Sequence, residues 1–181
     1  HFDGHLETLT YLKQTTGSVG LHLRPQARRI FIANAAGGQD ILRAVAYGAR
    51  QVDAADPHPL FASFLRDNVT GFSGWPLLKG RVRYHSTTVR AFLQGAPGMY
   101  DLIQLPLGSD GGSGASAFGE STLFTVEGLE QLWQHLDPDG LLVIPLWTRL
   151  PPRSSLKTFH MVMRMLETQG ISRPSDHLAM I

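Results

Sequence analysis

The stretch that decides the fold is RIFIANAAGGQDILRAVAYGARQVDAADPHP, residues 29–59. Ile30 to Ala33 is a short apolar run rich in β formers, and Asn34 to Gly38 is a turn of small residues. Ile41, Leu42, Val45 and Ala46 then recur at helical spacing, and Val52 to Ala55 is a second apolar run closing on Asp56. Strand, small-residue turn, helix, strand and terminal acid form the layout of the first half of a nucleotide-binding α/β domain. Small residues let backbone N–H groups approach a ligand, the helix N-terminus is electropositive, and the acid accepts hydrogen bonds from ribose hydroxyls. Each part also has a purely structural reading. The turn can be a tight β–α connection that binds nothing, and the acid can cap the helix that starts near His58.

Working outward, the same alternation continues. Leu60, Phe61, Phe64 and Leu65 lie on one stripe of a helix that stops near Gly71, and Val82 with Tyr84 marks a third strand. Ala91 to Leu93 suits a short helix, and Tyr100 to Leu105 a fourth strand. A Gly- and Ser-rich segment follows at residues 106–121. Thr125 then caps a helix that buries Val126, Leu129, Leu132 and Leu136, with Glu127 in its first turn. Pro138-Asp139-Gly140 is read as a turn, Leu141 to Trp147 as the fifth strand, and Pro151-Pro152 as a break. Ser154 or Ser155 is expected to cap a last helix burying Leu156, Phe159, Met163 and Leu166, with Gly170 after its end. His177 to Ile181 reads as the start of a sixth strand. The expected fold class is therefore α/β: a Rossmann-like, mostly parallel sheet with helices on both faces. Residues 1–28 form a helical lead-in, with candidate helices at Leu6 to Leu12 and Thr16 to Leu23. Residues 29–181 form one α/β domain. The chain begins at His1 and is read as a piece of a longer protein.

Bulk properties narrow the function classes. With 181 residues, 43% hydrophobic and 17% charged, the chain suits one globular domain. A net charge of +1 offers no electrostatic case for nucleic acid or an anionic membrane. The absence of cysteine excludes disulfides, thiolate nucleophiles and cysteine-based zinc sites. The eight histidines show no metal-ligand spacing, and no H-E-x-x-H, G-x-S-x-G or P-loop occurs. No apolar run reaches the roughly 18 residues of a membrane helix. The expectation is a cytoplasmic location, or a soluble domain of a membrane-attached protein, with no metal.

The motifs IFIANAAGGQDIL, the strand ending at Asp56 with Pro57 and Pro59 after it, VRAFL, YDLIQL, LFTVEGLEQLWQHLDPDGLL and W-x-x-x-PPR together resemble the class I S-adenosylmethionine-dependent transferases. More narrowly, they resemble the spermidine synthase-like branch, whose bacterial members are often joined to membrane segments. The resemblance runs over residues 29–171. It implies a sheet of seven strands, of which the final hairpin is truncated here, leaving an open edge. It implies S-adenosylmethionine or its decarboxylated form as co-substrate. It also implies a small amine such as a polyamine as acceptor, and it is compatible with a homodimer.

What the resemblance implies for residues is specific. Asn34, Ala35, Ala36, Gly37, Gly38 and Asp40 stand in a loop around the nucleoside, with Asn34 and Ala36 where Gly is usual. Asn tolerates a left-handed backbone, whereas the Ala36 methyl crowds a ligand at close approach. Asp56, followed by Pro57, accepts from the ribose hydroxyls. Thr88 stands where relatives place an acid for the adenine amino group, Val89 packs on the ring, and Gln104 contacts the nucleoside edge. In spermidine synthases an Asp-x-x-Asp segment follows the fourth strand and deprotonates the attacking amine. Here Pro106 and Ser109 hold those positions, leaving Asp110 and Glu120 as the candidate catalytic carboxylates.

Two function classes remain open. One is a transferase moving a methyl or aminopropyl group from a sulfonium nucleoside. The other is a catalytically degenerate nucleoside-binding, regulatory or assembly module, favoured by Ala36, Thr88 and the Pro106/Ser109 pair. A nicotinamide dinucleotide enzyme is a weaker third, since G-x-G-x-x-G is missing.

Overall fold

The computed structural model describes residues 5–65, 80–96, 98–105, 123–147 and 150–181. Five strands form one parallel sheet in the order β3-β2-β1-β4-β5. They are β1 (Arg29–Ala33), β2 (Gln51–Asp56), β3 (Val82–Ser86), β4 (Tyr100–Gln104) and β5 (Leu136–Val143). A parallel sheet covered on both faces needs strands apolar on both sides, and β1 meets that demand. Ile30 and Ile32 enter one core while Phe31 and Ala33 enter the other.

The first core lies under the N-terminal segment and α2 (Gln39–Ala46). Leu9 and Leu12 come from a 3-10 helix at Leu6–Gln14, Leu21 from α1 (Val19–Leu23), and Ile41, Ala44 and Val45 from α2. The lead-in thus shares its core with the sheet. The second core lies under α4 (Val89–Gln94), α5 (Val126–Gln134) and α6 (Arg153–Thr168), which contribute Val89, Leu93, Leu129, Leu132, Val162, Met165 and Leu166. A short α3 (Pro59–Ser63) follows β2 with proline in its first turn. Thr125 caps α5, its hydroxyl oxygen accepting from the Gly128 amide at 3.0 Å.

Five expectations need correction. The buried stripe of α6 is Thr158, Val162, Met165 and Leu166, an i, i+4, i+7, i+8 pattern. Leu156 and Phe159 fall off that stripe and are exposed at 57% and 38%. Thr158 takes one position of that stripe at 8% exposed, where hydrophobicity alone expects an apolar side chain. Neither Ser154 nor Ser155 caps α6; Pro152 holds the cap position, and the Ser155 hydroxyl donates back to the Pro152 carbonyl. β5 begins at Leu136 and carries Asp137–Gly140 as an irregularity rather than a preceding turn: Tyr100 pairs with Leu136 and Leu102 with Leu141. Finally, Pro174–His177 is a 3-10 helix and residues 178–181 belong to no strand. Pro174 favours a helical start, and the Arg173–Asp176 ion pair closes the turn. The apolar stripe read after Asp56 is also split. Leu65 is buried, Leu60 and Phe64 are exposed, and its expected end near Gly71 lies outside the described residues.

One buried carboxylate organises the second face. Asp53 in mid-β2 is 1% exposed and receives the Arg83 guanidinium through both oxygens, at 2.8 and 2.9 Å. Gln51 Nε2 at 2.9 Å and the Tyr100 hydroxyl at 3.1 Å also donate to it, with His85 Nε2 at 3.3 Å. Burial pushes this carboxyl upward, but the hydrogen bonds from Arg83, Gln51 and His85 outweigh it and hold its pKa below the ordinary 3.8. A depressed carboxyl stabilises the fold above the unfolded value and loses that contribution as pH falls through the folded one.

Two predictions follow from these contacts. Asp53→Asn costs about 1–3 kcal/mol at neutral pH, because the buried amide turns an NH2 group toward donors that the carboxylate satisfied. It also flattens the loss of stability below pH 3.8, as read by urea melts across pH. A Cβ at Gly140 would stand 2.8 Å from Leu136 Cγ and 2.9 Å from the Asp137 carbonyl oxygen. Gly140→Ala therefore destabilises by about 1–3 kcal/mol, measurable as a lowered Tm.

Candidate functional site

The carboxyl ends of β1, β2 and β4 converge where the β1–α2 loop crosses the sheet. Loop geometry follows from its residues. Asn34 has φ 50°, Ala36 φ 40° and Gly38 φ 81°, so three of five positions are left-handed. Gly38 adopts this without penalty and Asn34 at a small one, but Ala36 carries roughly 1–2 kcal/mol of strain. Ala35 is buried and its amide donates to the Ala55 carbonyl at 3.2 Å, tying the loop to β2. Ala36 and Gly37 face outward, and a Cβ at Gly37 would meet nothing within 4 Å. The open side of the loop therefore lies above Gly37.

Asp56 ends β2 on the face shared with this loop. One carboxylate oxygen accepts from the Ala36 amide at 2.9 Å and the other from the His58 amide at 2.8 Å. The side chain is 4% exposed. The carboxylate thus ties the turn into α3 to the loop after β1. Each oxygen keeps a further lone pair, since an ionised carboxylate offers about four acceptor sites. Pro57 forms the bend between Asp56 and the His58 amide.

Gln104 and Asp40 meet on the other side of the loop. Gln104 is 3% exposed, and its amide donates to Asp40 Oδ1 and to the Gly17 carbonyl, both at 3.0 Å. Arg43, one turn along α2, pairs with the same Asp40 oxygen and donates from Nε to Thr15 Oγ1 at 3.1 Å. Burial pushes the Asp40 carboxyl above its ordinary value, against the pull of Arg43. These side chains tie the N-terminal segment down over the β1 and β4 ends.

The β3–α4 connection lies beyond Asp56, which pairs with Ser86. Thr88 is the N-cap of α4, its oxygen accepting from the Ala91 amide at 3.2 Å, and its side chain remains exposed. Val89 is 2% exposed and packs within the second core. Arg90 donates to Gln131 at 3.0 Å and joins α4 to α5. Asp110 and Glu120, with Pro106 and Ser109, lie outside the described residues. No group of three metal-ligating side chains occurs among the described residues, and none of their helices is long and apolar enough to cross a membrane.

The structure thus brings Asn34–Gly38 together with Asp56, and Asp40 together with Gln104. Two participants were not legible. Arg43 sits three residues after Asp40, a spacing that signals an ion pair but reads equally as a solvated helix face. Tyr84, whose hydroxyl donates to the Ala36 carbonyl at 3.1 Å, follows the two-residue period of β3 and reads as core.

No family model matches the chain, and no curated protein matches it in sequence. Solved structures do match. Human methyltransferase-like protein 13 in complex with SAH superposes with a TM-score of 0.59 at 16% identity, over 85% of this chain and 72% of that one. The spermidine synthase of Thermotoga maritima gives 0.55 at 15% identity, over 87% of this chain and 50% of that one. A spermidine synthase in complex with the transition-state analogue AdoDATO gives 0.54 at 16% identity, over 87% and 49%. The chain spans about half the length of these two synthases. At such identities the likeness is one of fold, and that fold is the Rossmann-like fold of the class I S-adenosylmethionine-dependent transferases.

Because both Asp56 oxygens face backbone N–H donors, an amide cannot replace the carboxylate cleanly. Asp56→Asn turns an NH2 group toward one of those donors, and we expect thermal melts to show it destabilised by about 1–3 kcal/mol.

Proposed function

We propose that this chain is the nucleoside-binding domain of a group-transfer enzyme that uses a sulfonium nucleoside of the S-adenosylmethionine type. The observation that carries this reading is the β1–α2 loop. Its outward Gly37 stands open beside a buried carboxylate that already holds the loop's own Ala36 amide. The fold supports it, since the similar structures include one bound to SAH and one bound to AdoDATO. On this reading Asn34–Gly38 cradles the nucleoside. Asp56 takes the ribose hydroxyls on its remaining lone pairs, and Gln104 with Asp40 borders the amino-acid or aminopropyl end. Pro57 and Thr88 flank the ribose and base.

The chemistry is an in-line displacement. The acceptor's lone pair forms a bond to the carbon beside sulfur, the C–S bond breaks, and its electron pair returns to sulfur, leaving a neutral thioether. The acceptor then loses a proton to a base. Alignment and exclusion of water supply most of what such a reaction asks of the protein. Between the two transfers, Pro106 and Ser109 stand where an aminopropyltransferase carries its carboxylates, which favours methyl transfer. Asp110 and Glu120 are the acids left to take the proton.

A second reading has its own observation. Asp40, Arg43, Gln104 and the Gly17 carbonyl satisfy one another without a ligand. That is what a module that keeps the fold but has lost the chemistry would show.

Calorimetry with S-adenosylmethionine, decarboxylated S-adenosylmethionine, methylthioadenosine and NAD separates these readings. The transferase reading expects a sulfonium nucleoside to bind and NAD not to. It also expects Asp56→Ala to weaken binding by about tenfold or more, from loss of charge-assisted bonds to ribose together with loss of the Ala36 anchor. Binding without turnover on any methyl or amine acceptor favours the degenerate module. Binding of none of the adenosyl compounds removes the nucleoside site altogether.

A further inference from the structure

Ala36 is an exposed alanine in a left-handed conformation. Its two backbone polar groups are both held. The N–H donates to Asp56 Oδ2 at 2.9 Å, and the carbonyl accepts from the Tyr84 hydroxyl at 3.1 Å. The two anchors come from different strands. Tyr84 sits on β3 opposite Ala54, on the same face of the sheet as Asp56 two residues further along β2. Asp56 is fixed in turn by the His58 amide. Burial, and then the nearby Asp56 charge, push the Tyr84 hydroxyl well above its ordinary value, so it remains a proton donor across the neutral range.

We propose that Tyr84 is a positioning residue of the nucleoside loop: with Asp56 it pins both ends of the Ala36 residue and so holds the strained loop in the form that receives the ligand. Backbone strain persists only where the surroundings over-determine it, and two hydrogen bonds on one residue do so here. Where glycine would adopt this shape unaided, alanine needs the clamp. Loss of the hydroxyl lowers the fraction of molecules with the loop preformed, and apparent affinity falls in proportion to that fraction. This inference rests on the proposed nucleoside site for its effect on affinity, but not for its effect on the loop.

The test uses Tyr84→Phe, Ala36→Gly and the double variant, in two measurements. Hydrogen exchange on the ligand-free protein reads the Ala36 amide directly, and Tyr84→Phe is expected to accelerate it at least threefold. Calorimetry with SAH reads affinity, and Tyr84→Phe is expected to raise Kd roughly three- to tenfold, the factor of one neutral hydrogen bond. Adding Ala36→Gly removes the strain, so the double variant should bind within about twofold of Ala36→Gly alone. An unchanged exchange rate in Tyr84→Phe overturns the clamp. So does a loss of affinity that Ala36→Gly fails to rescue, because Tyr84 would then act through packing. If the wild-type protein binds no SAH, the nucleoside reading falls, and exchange alone then upholds or overturns the clamp.

Discussion

The bond from the Ala36 amide to Asp56 is the contact on which the site depends. It joins the loop after β1 to the end of β2, and through the His58 amide it also fixes the entry into α3. A buried carboxylate needs partners, and two backbone donors supply them without a counter-charge. The same bond keeps an alanine in a conformation that favours glycine. Loop shape, strand end and helix start therefore stand or fall together.

Asp53 and Asp56 show how one strand solves the same problem twice. Three residues apart, they point to opposite faces of the sheet. Asp53 is neutralised by a bidentate arginine, a tyrosine, a glutamine and a histidine beneath the second core. Asp56 is satisfied by backbone amides at the rim. The first arrangement leaves no room for a ligand and serves cohesion between β2, β3 and β4. The second leaves acceptor capacity beside an exposed loop, which is why only the second acid belongs to a candidate site.

On the far side of the loop, Gln104 and Asp40 are closed by the N-terminal segment through Gly17 and Thr15. Gly17 leaves little room there, since a Cβ would stand 2.7 Å from Arg43 Nη1. The lead-in thus holds Gln104 and Arg43 at the strand ends as well as covering the first core.

The loop with its terminal acid was legible in residues 29–59, and the order of strands and helices with the parallel sheet in the alternation from Arg29 onward, because period and small-residue turns are local properties of the chain. Asn34 was legible as a left-handed position, Thr125 as a cap and Gly170 as the residue past a helix end, each from short-range stereochemistry. The rotation of α6, the irregular start of β5 and the loss of a sixth strand were not, because each is settled by which surface the segment meets. Nor could sequence alone tell that Thr88 spends its oxygen on a cap, that Val89 turns into a core, or that Tyr84 reaches across β2 to Ala36. Hydrogen bonds between residues far apart in the chain exist only once the sheet has placed them side by side. Composition and period determined the scaffold, and only the tertiary structure decided which polar groups it leaves available.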